Sequence, residues 1–194
     1  MGSALSIDME MLHAKMGEEI EILNAMYQDH SSCAARRICV RSTFAYLEVL
    51  GCIIREMATK LMIKHIKDSG HIPVTEAAAL SDYAYNLNAQ GVVEMQERSA
   101  YPFGCHFAFS LRTFAKYAQV DVNYIQGSGW DAFKKAIKIR NRIAHPKTPE
   151  HLSVSEDEFK IVENAFMWAS HACADVMMRS PFYITGEHND NNLL

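Results

Sequence analysis

The sequence lacks several features that mark the commoner kinds of active site. Its five cysteines form no CxxC pair, and their odd number cannot pair fully within one chain, which favours reduced thiols. The nine histidines are scattered, without an HExxH motif or a Cys/His cluster, so the sequence implies no metal site and no cofactor. A nucleophile-elbow motif, which would indicate a Ser/His/Asp hydrolase, is lacking too.

Excess positive charge and long uninterrupted hydrophobic runs are also lacking. The net charge of −4 argues against a surface that holds any nucleic acid by general positive potential, so such a contact must be local. The most hydrophobic window, residues 44–57, contains Glu48 and Arg55, which a membrane-spanning helix would exclude. The first residues show no secretory-signal pattern, so we expect a cytoplasmic protein without a membrane anchor.

The pattern of apolar residues predicts a helical protein. A chain of 194 residues, 49% of them hydrophobic, suffices for one domain with a buried core. Helical spacing recurs along most of the chain, and no strand-like alternation extends beyond a few residues. We therefore predict an all-α bundle of about five helices with a long second helix, as a single domain over residues 1–180, followed by a polar tail over 181–194.

Spacing and capping signals place the predicted helices. Their ranges are about 6–27, 33–68, a shorter helix within 71–90, 106–119, 130–144 and 155–179. The second is either one long helix or two helices with a kink near Gly51. The predicted end residues are Ser31 or Ser32 and Gly70 for the second helix, Ser128 as an N-cap, and a capping box of Ser155 and Glu158.

Positive charge is concentrated in residues 132–149, although the whole chain has more acids than bases. This range has six Lys or Arg and no Asp or Glu. One interpretation is a solvated helix face whose cations complement the helix dipole. The other is a phosphate-binding surface, for which the RNA-binding residues would be Lys134, Lys138, Arg142 and Lys147.

Three side chains near the end of this helix suit cleavage of RNA by its own 2′-hydroxyl. His145 can act as a general acid or base near neutral pH, and Arg140 offers a planar fork for phosphate oxygens. At about 100° per residue, Asn141 shares a side with the apolar stripe of Trp130, Phe133 and Ile137, which predicts an inward-facing amide near His145.

Arg140 and His145 are about 140° apart on an ideal helix, so a regular helix would not bring them together. Pro146 disfavours a helical conformation at His145, which lets that side chain leave the helical path. The alternative is convergence with a second chain related by a two-fold axis. A plain helix-capping role for His145 is the structural interpretation.

The six residues RNRIAH, Arg140 to His145, resemble the Arg-x4-His motif of the HEPN (higher eukaryotes and prokaryotes nucleotide-binding) superfamily. Asn141 matches the polar residue that often follows the motif Arg, and the setting at the end of a late helix, before a final long helix, is similar. The resemblance implies a homodimeric bundle in which two motifs share one cleft and form a metal-independent endoribonuclease. It implies that His145 is the acid or base, Arg140 the phosphate and transition-state ligand, and Asn141 the positioning residue.

The resemblance also implies a biological setting in toxin–antitoxin pairs, abortive infection or other antiviral defence, with an antitoxin or defence-system protein as partner. Some HEPN toxins carry, two residues after the motif His, a Tyr that a partner modifies, and this chain has Lys147 there. The alternative is a non-catalytic HEPN-like module that binds RNA, nucleotides or protein. A purely structural helical adaptor is a third interpretation.

Basic and acidic residues earlier in the chain admit simpler explanations. Arg36, Arg37 and Arg41 are interpreted as an exposed helical face rather than an extension of an RNA path. Glu48 and Arg55 are interpreted as structural, with an ion pair between Glu48 and a basic residue of the motif helix as the alternative.

Overall fold

The computed structural model describes residues 9–28, 30–71, 73–80, 83–87, 90, 92–97, 102–121 and 123–180. These residues form, in order, α1 (Met9–Gln28), α2 (Cys33–Ser69), α3 (Val74–Leu80), β1 (Tyr83–Leu87), β2 (Val93–Glu97), α4 (Phe103–Tyr117), α5 (Gly127–Ala144), a 3-10 helix (Pro149–Leu152) and α6 (Glu156–Arg179). The predicted helical bundle is confirmed. The predicted polar tail over 181–194 lies outside the described residues.

The long second helix is one continuous element. α2 has 37 residues and begins where the Ser32 side chain accepts a hydrogen bond from the Ala35 N–H at 3.0 Å. It ends at Gly70, whose φ of 69° is the left-handed conformation that glycine adopts without strain. Of the two predicted alternatives, the single helix is therefore correct. No helix among the described residues is both long enough and apolar enough to cross a membrane.

The hydrophobic core lies where α2, α4, α5 and α6 pack together. Its largest members are buried aromatic side chains, and the rings of Phe107 on α4 and Phe133 on α5 have centroids 5.0 Å apart. Burying such a ring stabilises the fold by about 1.5–3 kcal/mol.

The predicted capping box of α6 is confirmed, because Ser155 accepts from the Glu158 N–H and Glu158 accepts from the Ser155 N–H, both at 3.2 Å.

The helix predicted within residues 71–90 is wrong in its second half. α3 has only seven residues, and the chain then forms β1, which pairs antiparallel with β2. Tyr83 lies opposite Glu97 and Leu87 opposite Val93. Two tyrosines in five residues favour an extended strand. A run this short shows its period weakly, and its stabilising partner comes later in the chain.

Candidate functional site

α5 carries the predicted motif, but its buried side differs from the predicted one. Phe133, Ala136 and Ile143 are fully buried, whereas Asn141 is exposed. The prediction of an inward-facing Asn141 amide is therefore wrong. Of the three apolar residues on which that prediction depended, Phe133 is buried, but Trp130 and Ile137 are only partly buried and line a cavity. The buried centre of α5 is therefore rotated away from these two residues.

The start of α5 also differs from the prediction, while its end agrees. The helix begins at Gly127 after Gln126, so Ser128 lies inside the helix and is not its N-cap. It ends at Ala144, and His145 has φ −126° and ψ 62°, outside the helical region. This departure is the effect predicted for a residue that precedes proline.

The imidazole of His145 is exposed at this helix end. The backbone N–H of His145 donates to the Asn141 carbonyl at 3.1 Å, which continues the hydrogen bonding of α5 by one residue. Within the described part of the chain, the imidazole itself makes no hydrogen bond, and the polar partners of Arg140 are Glu48 and Asn141. The ring is therefore available to a ligand or to a second chain.

Arg140 is held between α2 and its own helix. Its Nη2 donates to Oε1 of Glu48 at 2.5 Å, and its Nη1 donates to Oδ1 of Asn141 at 3.2 Å. Glu48 therefore meets a basic residue of the motif helix, which was the alternative interpretation. A guanidinium has five N–H donors, and a third of this side chain is exposed (33%), so donors remain for an anion.

Three arginines at the start of α2 bond main-chain carbonyls of the segment that follows the motif. Arg36 Nε donates to the Val154 carbonyl at 2.7 Å, and Arg37 Nη1 to the Leu152 carbonyl at 3.1 Å. Arg41 Nη2 donates to the Ile143 carbonyl at 3.4 Å. These side chains hold that segment in place, a role that the interpretation as a plain exposed face did not include.

Arg142, predicted to bind RNA, is engaged in the same segment. Its Nη1 and Nη2 bind Oε1 and Oε2 of Glu158 at 2.8 and 2.9 Å, and Nη2 also donates to the Ser153 carbonyl at 2.7 Å. Burial alone would raise the pKa of Glu158, but the hydrogen bonds from Arg142 and Ser155 outweigh it and lower the pKa. We call Arg36, Arg37, Arg41 and Arg142 the arginine clamp.

A second group of polar residues on α5 faces solvent. Lys134, Lys138, Asn141 and His145 are all exposed and fall within about 60° of one another around the helix. We call these four residues the basic stripe, which is about 16 Å long at 1.5 Å per residue. Lys134 Nζ pairs with Asp131 at 2.8 Å, but both partners are exposed, and such a pair contributes little.

Lys147, also predicted to bind RNA, lies exposed in the loop after the motif. Its backbone N–H donates to Nδ1 of His151 at 3.1 Å. An imidazole that accepts at Nδ1 carries its proton at Nε2 when neutral. His151 is partly exposed and lies six residues after His145, so it is a second imidazole near the motif. The sequence pattern did not indicate it.

A cavity of about 1000 Å³ opens between α4 and α5 beside the basic stripe. Arg140 and Asn141 lie on its edge, and its lining also includes Phe109 and Arg112 from α4. The charge concentration of residues 132–149 pointed to the α5 side of this cavity. Nothing in the α4 sequence signalled that Phe109 and Arg112 would complete it, because that depends on how the two helices pack.

The described residues contain no group of three or more His, Cys, Asp or Glu side chains that could hold a metal ion. Comparisons of the chain with protein-family models, with curated proteins and with solved structures find no match. The function is therefore inferred from the residues and their geometry.

Proposed function

We propose that this chain is a metal-independent endoribonuclease of the HEPN type, which cleaves RNA by attack of the 2′-hydroxyl on the adjacent phosphate. The observation that supports the proposal is that both motif side chains, His145 and Arg140, can reach a ligand. The His145 imidazole is exposed at a helix end, and the Arg140 guanidinium is oriented by Glu48 and Asn141 with donors to spare. The proposal includes a cytoplasmic toxin–antitoxin or antiviral defence setting with an antitoxin or defence protein as partner.

The reaction needs two proton transfers and stabilisation of negative charge. A base removes the 2′-hydroxyl proton, the oxygen attacks phosphorus, and an acid protonates the departing 5′-oxygen, which leaves a 2′,3′-cyclic phosphate and a 5′-hydroxyl. An imidazole suits either proton transfer, which assigns this chemistry to His145. Arg140 would donate to the non-bridging oxygens, where charge increases in the transition state, while Asn141 positions the guanidinium.

The proposal includes a second copy of the chain. One imidazole cannot act as base and acid in the same step, and no hydrogen bond joins Arg140 and His145 within the described part of one chain. A two-fold axis beside the motif would supply a second His145 and a second Arg140.

An exposed apolar surface on α2 fits such a contact. Ile38 and Val49 are 54% and 38% exposed, and together with the exposed Ala45 and Cys52 they fall within about 60° around the helix. Glu48, the partner of Arg140, adjoins this surface. Apolar side chains grouped on a helix face mark contact surfaces, and a two-fold contact pairs one patch with its own copy.

Cleavage in the presence of a chelator tests the catalytic proposal. Purified protein is incubated with total RNA and a tRNA pool in excess EDTA, beside His145→Ala and Arg140→Ala. His171→Ala is the matched control, because it makes the same change at an exposed position on α6. We expect wild type and His171→Ala to cut RNA and both motif variants to lose cutting. Cutting that survives in His145→Ala would contradict the proposal.

The shared site is tested by placing a charge on the α2 surface. Val49→Glu should give monomers that do not cut RNA, because two carboxylates would meet at the two-fold contact. Val74→Glu is the matched control, because it makes the same change at an exposed valine on α3, outside the α2 surface, and should leave a cutting dimer. Mass measurement by light scattering gives the oligomeric state. An active Val49→Glu monomer would rule out the shared site.

An RNA- or nucleotide-binding module without turnover is the second candidate. The Glu48–Arg140 ion pair favours it, because a guanidinium held by a carboxylate at 2.5 Å is less available to stabilise a transition state, whereas the exposed Lys134 and Lys138 can still bind phosphates. Wild type and motif variants that bind RNA equally and cut none would support this candidate. A protein that binds no RNA would exclude both.

A further inference from the structure

We infer that the cavity between α4 and α5 holds an unpaired nucleobase of the RNA, so that the protein selects single-stranded RNA over duplex. The inference rests on the proposed function and deepens it by naming the substrate class. It combines three observations on the same cavity: an aromatic wall, a rim rich in cations, and two motif residues on its edge.

The wall of the cavity presents aromatic rings from three helices. Phe44, Phe103, Phe109 and Trp130 line it. The ring of Phe103 contacts those of Phe44 and Phe133, with centroids 6.1 and 5.8 Å away, and Trp130 stacks on Phe133 at 5.5 Å with an interplanar angle of 23°. Because the rings of Phe103 and Trp130 pack against other buried rings, this part of the wall is already in place before a ligand binds. Every nucleobase has a π face that can stack on such a ring, whatever the sequence.

The rim of the cavity carries far more positive than negative charge. Its cations are Arg112, Lys134, Lys135, Lys138 and Arg140, and its one carboxylate, Asp131, is paired with Lys134. Among the described residues, Arg112, Lys135 and Lys138 take part in no ion pair. In a chain of net charge −4, this local excess favours an anionic occupant. A ligand that has both an aromatic ring and phosphates can stack on the aromatic wall and bind the cations of the rim at the same time.

The aromatic wall of the cavity favours unpaired bases over bases in a duplex. A base in a duplex is stacked and paired, so it presents only its edges in the grooves, whereas a single-stranded base can turn its face to an aromatic side chain. Arg140 and Asn141 line the cavity and belong to the motif. A nucleotide whose base occupies the cavity therefore places its sugar and phosphate beside Arg140 and Asn141.

Binding is measured on the full chain carrying His145→Ala, so that RNA is bound without being cut. Cys105 is exposed and lines the cavity, so Cys105→Trp puts a large ring into this space without disturbing the core. Cys105→Ser is the matched control. The probes are a fluorescent single-stranded RNA of mixed sequence and its duplex, followed by anisotropy.

We expect Cys105→Trp to raise the dissociation constant for the single strand roughly tenfold or more, the effect of losing one stacked base, while Cys105→Ser does not. The duplex should bind more weakly than the single strand and should not respond to Cys105→Trp. A second variant, Phe109→Leu, keeps an apolar side chain and removes one ring of the wall. It should weaken single-strand binding in the same direction, which provides a test that does not depend on the folding of Cys105→Trp.

The outcomes separate this inference from the proposed function. Equal single-strand affinity in Cys105→Ser, Cys105→Trp and Phe109→Leu overturns the inference even if wild type cuts RNA. Tighter binding of the duplex also overturns it. Cavity-dependent binding by a wild-type chain that cuts no RNA supports the inference and removes the proposed catalysis. A chain that binds neither RNA overturns both.

Discussion

The arginine clamp, which joins α2 to the segment after the motif, and the basic stripe along α5 use positive charge in different ways. In the clamp, the guanidinium of Arg36 bonds carbonyls and that of Arg142 bonds a carboxylate and a carbonyl. In the stripe, Lys134 has one exposed partner, and Lys138 forms no ion pair with a described residue. The comparison teaches that neighbouring basic residues in a sequence can have different roles. Arg142 stabilises the fold, whereas Lys134 and Lys138 are available to a ligand.

The largest expected difference between the two regions is in activity. Arg140→Lys keeps the charge but loses the planar fork, so we expect the cleavage rate to fall about 100-fold. The free energy of unfolding should change by less than about 0.5 kcal/mol, because the pair with Glu48 is partly exposed. Arg142→Lys is the clamp control and should cut RNA at the wild-type rate when folded. Equal cleavage rates in the two variants would show that the regions are not distinct.

The next effect is in stability. Arg36→Ala removes donors to the carbonyls of Val154 at 2.7 Å and His30 at 3.0 Å, and leaves partly buried acceptors without them. We expect the free energy of unfolding, measured by urea denaturation, to fall by about 1–3 kcal/mol. Lys138→Ala in the stripe should change it by less than about 0.5 kcal/mol. A similar loss in both variants would contradict the assignment of the stripe to a ligand.

A smaller effect concerns pH. The pKa of Glu158 is lower in the folded than in the unfolded chain, so the ion pair with Arg142 stabilises fully above the unfolded pKa. That contribution is lost as the pH falls through the lowered folded pKa. Glu158→Gln should therefore be less stable than wild type near neutral pH, by about 1 kcal/mol, and equally stable at strongly acidic pH. Thermal unfolding across this pH range checks it, and a pH-independent difference would contradict it.

The smallest effect is in the salt dependence of RNA binding. Lys135→Ala and Lys138→Ala should each reduce the slope of log affinity against log salt by about 0.7, the value for one phosphate contact on a single strand. Lys160→Ala, an exposed lysine on α6, should leave the slope unchanged. Slopes that are identical in all three variants would exclude the rim lysines from phosphate contact.

Most of the predicted helix ends, other than the start of α5, were correct because their signals are local. Ser32, Gly70 and the Ser155–Glu158 capping box act within a few residues, and Pro146 acts on its direct neighbour. The hairpin was not predicted because β1 is only five residues long and its pairing depends on a second strand.

The sequence indicated which residues make up the candidate site, but it did not indicate which way they face or what they contact. The Asn141 prediction was wrong because the direction of the buried side was taken from Trp130, Phe133 and Ile137. Only Phe133 of these is buried, whereas the other two are apolar yet line a cavity. The clamp was not predicted either, since Arg36 and Val154 are separated by 118 residues, and no local pattern connects them.

That separation has a consequence for the order in which the protein assembles. Arg36 emerges from the ribosome 118 residues before Val154, and α6 begins just after Val154. The segment after His145 reaches its final position when residues from both parts of the chain have met, and closing such long loops is slow. The motif therefore cannot take its final form before this later segment has been made. A chain that ends before Val154 has the motif residues but lacks the contacts that hold the segment after them.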